Sequence, residues 1–407
     1  TVPLHFSSSW MLASLRMPEP INLECTSTFG IYIHWPFCTS ICPYCDFNVR
    51  RSRNVDAERW CNALLVAISN ASRRFPNKIA SSLYFGGGTP SLMSVATVAA
   101  IIEQVEKCFG FVRNAEISLE ANPDSSQAKK FKGLSQVGIN RLSMGVQAFN
   151  DDALKWLGRS HSVLEAERSI DTARGLFPRM SFDLIYCRPG QTDYAWRAEL
   201  RRSLQFCAGH ISLYQLTIET GTAFSRARDR GDLVMPEQDS TAELYEVSQD
   251  ECNAIGLRCY EISNHALSGH ESQHNLGYWR YNEYLGIGPG AHSRLIDKGK
   301  RCAEEQIQDP KSWLASVEEF GHGVDRCEIL SADTQAAEML MMGLRLRDGL
   351  SLDHFNRVTG KPLERFVSYQ GLSGLKDDGL LMESRGRLFA TERGLRVLDA
   401  VLEKLLL

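Results

Sequence analysis

The chain has 407 residues, 43% of them hydrophobic and 23% charged, with a formal net charge of −4. That length is two to three domains' worth, and the composition excludes disordered, collagen-like and mucin-like chains. There is no global basic field to hold a polyanion, so nucleic acid is not an expected partner. No uncharged apolar run reaches the roughly 18 residues that a membrane span needs.

Residues 1–18 hold four Ser, one Arg and no Asp or Glu. Ser-rich and acid-poor is the composition of a mitochondrial transit peptide, although a strong one carries more Arg. Residues 1–28 are read as a leader or transit segment, with an unremarkable tail as the alternative. From residue 30 to about 245, apolar runs of strand length alternate with amphipathic helical stretches. Strands are expected at 30–35, 82–88, 116–122, 141–147, 181–187 and 210–219, and helices at 57–75, 94–109 and 162–177. This alternation argues for parallel βαβ units with both sheet faces covered. Six units suit an incomplete α/β barrel, and a doubly wound open sheet fits the periodicity equally. In either layout chemistry belongs at the C-terminal ends of the strands. Polar residues do gather there: a cysteine cluster, Gly86-Gly87-Gly88-Thr89-Pro90, Glu120, Gln147 and Asp183.

Beyond residue 245 the pattern changes. Residues 260–294 are dense in aromatics, His and Gly, and form with their flanks a small α+β extension. From 333 onward short helices precede a strand and turn at 387–394. Thr391 then N-caps a final helix with Leu395, Leu398, Leu402 and Leu405 on one face. This tail resembles a winged-helix-like module without a basic stripe. The expected division is a leader over 1–28, a core over 29–245, an extension over 246–332 and a C-terminal module over 333–407.

Of the twelve Cys, nine are scattered: Cys25, Cys61, Cys108, Cys187, Cys207, Cys252, Cys259, Cys302 and Cys327. They read as small buried hydrophobes. The other three, Cys38-x3-Cys42-x2-Cys45, directly follow the first strand. Soft thiolates on one loop suit an iron–sulfur cluster. Three ligands rather than four leave one iron of a 4Fe–4S cluster open to a substrate or cofactor. The alternative is a Cys3His zinc site with His34, for which the spacing is poor. Cys45 is followed by Asp46, so the C-x-x-C-H of covalent haem is absent.

The three-Cys loop after strand one and the GGGTP segment after strand two together resemble the radical S-adenosylmethionine (SAM) superfamily. The resemblance implies SAM bound through its amino and carboxylate groups to the open iron, with the glycines permitting close backbone approach. Reductive cleavage to a 5′-deoxyadenosyl radical is then the cofactor's chemistry. Further segments look like the family of oxygen-independent coproporphyrinogen III oxidase and its haem-chaperone relatives, among them WPFC, PYCDF, LEANPD, RLSMGVQAFND, LGRSH, FDLIY, HNLGYW and YLGIGPGAHS. The likeness covers about residues 30–405. It implies SAM contacts at Tyr32, Tyr44, Gly87, Gly88, Thr89, Glu120, Gln147, Arg159 and Asp183, with Gln215 and His292 matching less closely. Glu120 would accept the SAM amino group, Arg159 would pair with its carboxylate, and Asp183 would hold ribose hydroxyls.

Two features select a branch. The oxidases carry a fourth Cys two residues after the third, where this chain has Phe47. The chaperone branch, HemW-like and of the mitochondrial radical SAM domain-containing type, carries H-N-x-x-Y-W. Here that motif is His274-Asn275-Leu276-Gly277-Tyr278-Trp279. His can ligate haem iron, and Tyr278 and Trp279 offer flat faces to a porphyrin. On a helix His274 and Tyr278 share a face. The competing reading is that the motif shapes the floor under the SAM site, and His265, His270 and His292 compete as haem ligands. The expectation is a haem chaperone, more a carrier than an enzyme with turnover. It would bind haem, a 4Fe–4S cluster and SAM, and pass haem to acceptor proteins such as those of the respiratory chain. Its expected address is mitochondrial, or cytoplasmic for a bacterial source, and a homodimer is left open. The alternative is an oxygen-independent coproporphyrinogen III oxidase, a radical SAM enzyme of porphyrin biosynthesis.

Overall fold

The computed structural model describes residues 27–52 and 54–406, so Cys25 and the expected leader lie outside the described residues. Six strands follow one another as the sequence periodicity requires: β1 (Ser27–Trp35), β2 (Lys78–Gly87), β3 (Phe111–Ala121), β4 (Arg141–Gln147), β5 (Arg179–Tyr186) and β6 (His210–Gln215). They are parallel and lie side by side in chain order. A doubly wound sheet reverses direction at a switch point. This one does not, so the winding is that of a partial barrel.

The covering helices form where apolar residues recur at helical spacing and a polar side chain satisfies the first turn. Helix α1 (Ala57–Arg74) buries Trp60, Ala63, Leu64, Ala67, Ile68 and Ala71, and Asp56 accepts from Arg59 N at its start. Helix α2 (Val95–Phe109) is capped by Ser94. Helix α3 (Val163–Arg174) opens with a reciprocal Ser162/Glu165 capping box, which satisfies two orphan backbone donors together.

The extension does not form a sheet of its own. Strands β7 (Arg258–Glu261) and β8 (Asn264–Ala266) add antiparallel to the β6 edge. At the other edge β9 (Tyr284–Ile287) pairs parallel with β1, as a seventh parallel strand. Strands β10 (His292–Asp297), β11 (Lys300–Gln306) and β12 (Val324–Ile329) continue antiparallel from β9, completing a twelve-stranded sheet. Helix α4 (Pro310–Phe320) packs back on α1, where Trp313 stacks on Trp60 with ring centroids 5.6 Å apart.

The C-terminal region is helical with a small three-stranded sheet formed by 350–351, 381–384 and 387–390. It has its own core, including Met339, Leu340, Phe355, Leu388 and Leu405. Thr391 does cap a helix, accepting from Gly394 N. The expected single final helix is two, Glu392–Arg396 and Leu398–Leu406, broken at Val397. Leu395, Leu398 and Leu405 are still buried together.

The eleven cysteines among the described residues are free thiols. Cys187, Cys252, Cys259 and Cys302 are buried as expected, Cys61, Cys108 and Cys207 only partly, and Cys327 is exposed because it lies on β12, whose residues face solvent. Among the described residues no helix is long and apolar enough to cross a membrane.

Candidate functional site

A chamber of about 400 Å³ opens at the C-terminal ends of the parallel strands, within the usual size range of small-ligand sites. Cys38, Cys42 and Cys45 line it with Tyr44, Gly87, Gly88, Thr89, Glu120, Gln147, Arg159, Asp183 and Gln215. Residues far apart in the chain thus share one wall, as strand-end chemistry requires. Tyr32 and His292 are exceptions. Tyr32 stands behind the lining, its ring stacked on Tyr84 and its hydroxyl 3.1 Å from His34 Nδ1. His292 stands half-exposed on β10, 3.9 Å from Glu305.

The cysteine loop is gripped from several sides. Gly88 N donates to Trp35 O at 2.7 Å and Thr89 N to Phe37 O at 2.9 Å. A Cβ at Gly88 would lie 2.7 Å from Phe37 O and 3.0 Å from Cys38 Sγ, and one at Gly86 would lie 2.7 Å from Tyr32. The expectation was that these glycines make room for SAM. The structure gives them a prior task, which is to let the β2 end lie against the cysteine loop. Gly158, with φ +70°, admits Pro43 in the same way: a Cβ there would lie 2.7 Å from Pro43 Cδ.

Charge is concentrated and incompletely compensated. Glu120 accepts from Tyr84 Oη at 2.9 Å and Gly87 N at 3.2 Å. Burial nevertheless pushes its carboxyl up to about 7. Burial pushes Asp183 up to about 6, against hydrogen bonds from Ser212 and Ser143 and the nearby Arg159. Arg159 reaches Cys42 Sγ at 3.4 Å, Asn122 Oδ1 at 2.5 Å and Gly145 O at 2.7 Å, and its buried Nε has no partner. Burial raises the Cys38 thiol and holds Cys45 up at about 11. Gln147 has φ +75° at the end of β4, a conformation costing of order 1–3 kcal/mol and found most often at functional sites.

These residues fit a thiolate-bound iron cluster with SAM. The donors are soft, and Thr89 Oγ1 lies 3.6 Å from Cys38 Sγ. The Cys38 and Cys45 thiols, raised by partial burial, would ionise on binding a metal, the usual coupling of metal binding and pKa. Among the described residues no three His, Cys, Asp or Glu side chains close round a point as they would about a single ion. His34, the fourth ligand of the zinc alternative, spends Nε2 on Asn48 O at 2.9 Å and Nδ1 on Tyr32. Cys38, Cys42 and Cys45 would be the thiolates that hold a four-iron cluster.

The H-N-x-x-Y-W segment forms helix Gln273–Trp279 beneath the chamber. His274 is 3% exposed. Its Nδ1 meets Ser82 Oγ at 2.8 Å and its Nε2 meets Tyr278 Oη at 2.9 Å. Its ring stacks on Tyr84, and its backbone N donates to Glu116 at 3.1 Å. Glu116 also takes Arg141 Nε at 2.8 Å, with neither side chain exposed by more than 2%. Trp279 faces the other way, under the Arg345 guanidinium at 4.9 Å. In this conformation both ring nitrogens of His274 are engaged within the protein. His265 is also buried, with Nε2 on Gln249.

Tyr84, Asn122, Tyr214 and Asn264 line the chamber too and were not singled out in the sequence. Tyr84 could have been found by register, because it pairs with Tyr32 across β1 and β2. Asn264 sits in a three-residue strand with no periodicity to read.

Residues 32–202 match the Radical SAM superfamily and residues 330–397 match the HemN C-terminal domain. This chain belongs to the radical SAM superfamily and carries a HemN C-terminal domain. It is 37% identical over 396 residues to the mouse "Radical S-adenosyl methionine domain-containing protein 1, mitochondrial", covering 95% of this chain and 90% of that protein. It is 33% identical over 365 residues to "Heme chaperone HemW" of Bacillus subtilis, covering 89% and 95%. The solved Escherichia coli coproporphyrinogen III oxidase (HemN) shares the fold, with a TM-score of 0.79 at 22% identity over 93% of this chain and 90% of that one.

Proposed function

We propose that this chain is a SAM-binding iron–sulfur protein of haem and porphyrin metabolism whose chamber performs radical chemistry on a porphyrinogen. The reaction would be the oxidative decarboxylation of coproporphyrinogen III propionates. The observation that carries this reading is the contrast between a chamber lined by incompletely compensated carboxylates and thiols and His274, whose two ring nitrogens are already bonded to Ser82 and Tyr278. Cys38, Cys42 and Cys45 would hold the cluster. When bound, cluster and SAM supply an adenosyl radical. Glu120, kept in place by Tyr84 and Gly87 N, would accept the SAM amino group. Asp183 would take ribose hydroxyls, while Tyr44, Gly87, Gly88, Thr89 and Gln147 would shape the rest. Arg159 would screen the Cys42 thiolate and reach the SAM carboxylate.

The second reading is a haem chaperone that passes haem to acceptor proteins. The relatives named for that role and Phe47 at the fourth-Cys position favour it. It needs the Gln273–Trp279 helix to release His274. The mitochondrial names of several relatives support a mitochondrial address. A winged-helix-like tail, the division at 28, 245 and 332, and a homodimer belong to the proposal as well.

One anaerobic experiment separates the readings. Protein reconstituted with iron and sulfide is titrated with haem and, in parallel, incubated with SAM, reductant and coproporphyrinogen III. Protoporphyrinogen formed with 5′-deoxyadenosine supports the oxidase. Stoichiometric haem binding that His274→Ala weakens, without decarboxylation, replaces it with the chaperone.

A further inference from the structure

The cysteine loop is tied at its base, where Arg50 N donates to Pro36 O at 2.7 Å and Ser52 N to Cys38 O at 3.1 Å. Between these ties and Cys45 runs an arm whose Asp46 and Phe47 face solvent, Phe47 being 62% exposed. Val49 at the foot of the arm is buried, but Asp46 and Phe47 bring no buried apolar side chain of their own. Asn48 is where it meets the rest of the molecule. Asn48 Nδ2 donates to Pro289 O at 3.0 Å and to Gln308 O at 2.8 Å. Its own carbonyl accepts from His34 Nε2 at 2.9 Å. Both amide hydrogens are therefore spent on carbonyls of the extension, more than 240 residues along the chain.

The extension is shaped for this contact. Gly288 has φ +114°, and a Cβ there would lie 2.4 Å from His34 O. Gly290 has φ +72°, and a Cβ there would lie 2.6 Å from Asn48 Nδ2. The two glycines flanking Pro289 thus combine a backbone conformation that favours glycine with no room for a side chain. They lie in the turn that leaves β9, the seventh parallel strand, which β1 holds in register. The turn is rigidly referenced to the strand that delivers Cys38.

We infer that Asn48 is a positioning residue for the cysteine loop, and that the Gly288–Gly290 turn together with Gln308 clamps it so that the Cys45 arm is set before any cluster binds. The inference rests on the reading that the three thiols hold an iron–sulfur cluster. The clamp touches no thiol, so it acts only through the loop backbone. It also gives the extension a task in the chamber: from the six βα units His34 reaches only the Asn48 backbone carbonyl, and the side-chain amide is held by the extension.

The test uses full-length Asn48→Ala, Asn48→Asp and Gly290→Ala. Aspartate keeps the size of asparagine but offers neither carbonyl a hydrogen. Gly290→Ala pushes on the amide from the other side. The first readout is amide hydrogen exchange across residues 39–50 in iron-free protein. The second is the rate at which EDTA bleaches iron- and sulfide-reconstituted protein, with the electron paramagnetic resonance line shape of the reduced sample. Loss of two hydrogen bonds should speed loop exchange and bleaching roughly tenfold or more and broaden the resonance, with the thermal midpoint nearly unchanged. Wild-type exchange and bleaching rates in Asn48→Ala and Asn48→Asp would overturn the clamp. If wild-type protein takes up no more iron than Cys42→Ala, the cluster reading fails, and the exchange rates alone decide whether Asn48 fixes the loop.

Discussion

The cysteine loop and the H-N-x-x-Y-W helix are the two segments most conspicuous in the sequence, and they end up in opposite conditions. The loop is held by the Gly88 backbone, by Gly158 packed against Pro43 and by the Asn48 side-chain amide, while its thiols face the chamber. The helix is held by its own chemically interesting atoms: His274 Nδ1, His274 Nε2 and Tyr278 Oη all bond within the protein. A side chain whose hydrogen bonds are satisfied inside the fold contributes stability, whereas one left facing a chamber is available to a ligand. The same contrast appears in the carboxylates. Glu116 is buried but paired with Arg141, which helps hold it below its ordinary value. Glu120, buried without a cation, is pushed above it.

The sharpest way to break this contrast is to remove a thiol. Cys42→Ala should leave the fold intact, because Cys42 is only half-buried, yet abolish uptake of iron and sulfide. Retention of a wild-type cluster absorbance would show that the loop is as structural as the helix. The converse change is Glu116→Ala. It leaves the buried Arg141 charge without its carboxylate, although Nη2 keeps the His270 and Glu271 carbonyls, and removes the acceptor of His274 N and Ser272 Oγ. Breaking a buried pair on one side costs about 3–5 kcal/mol, so urea unfolding should show a large loss of stability. A loss under 1 kcal/mol would mean the floor is not load-sharing.

Glu120 allows a test with the opposite sign. Its folded value near 7 lies above the ordinary 4.5, so the folded protein holds a proton there that the unfolded chain releases. This contribution is full below pH 4.5 and is lost as pH rises to about 7. It amounts to about 3 kcal/mol. In protein without iron or SAM, Glu120→Gln should therefore be more stable than wild type at pH 8 and nearly equal at pH 4.5. It should also bind SAM more weakly in equilibrium dialysis of the reconstituted form. A variant less stable at pH 8 would place Glu120 among the satisfied groups with Glu116.

The sequence carried the six parallel strands and most of the chamber lining, because period-two and period-3.6 patterns and strand-end polar residues are local signals. It did not carry β9, whose four residues include a glycine and which pairs with a strand some 250 residues earlier. Nor did it carry the state of the floor: the partners of His274 on β2 and β3 are 192 and 158 residues away. Residue types can name a haem ligand or a hydrogen-bonded core histidine equally well, and only the packing decides between them. Tyr32 shows the same limit at smaller scale. The resemblance placed it against SAM, and the stacking of Tyr84 on the chamber side sets it one layer back.

The mildest change addresses the floor most directly. Tyr278→Phe keeps the ring, its edge-to-face contact with Tyr284 at 4.5 Å and that with His274 at 4.7 Å. It deletes only the hydroxyl on His274 Nε2. His274 is already held near 4 by burial, so the freed nitrogen stays neutral in the folded state and can serve as a ligand. The stability loss should be about 1 kcal/mol, visible as a small shift in the urea midpoint. Haem titration then separates the two states of the helix. If the floor is closed, Tyr278→Phe binds haem as weakly as wild type. If the helix swings out to ligate haem, weakening its inner bond raises haem affinity up to roughly tenfold, because the competing hydrogen bond is gone.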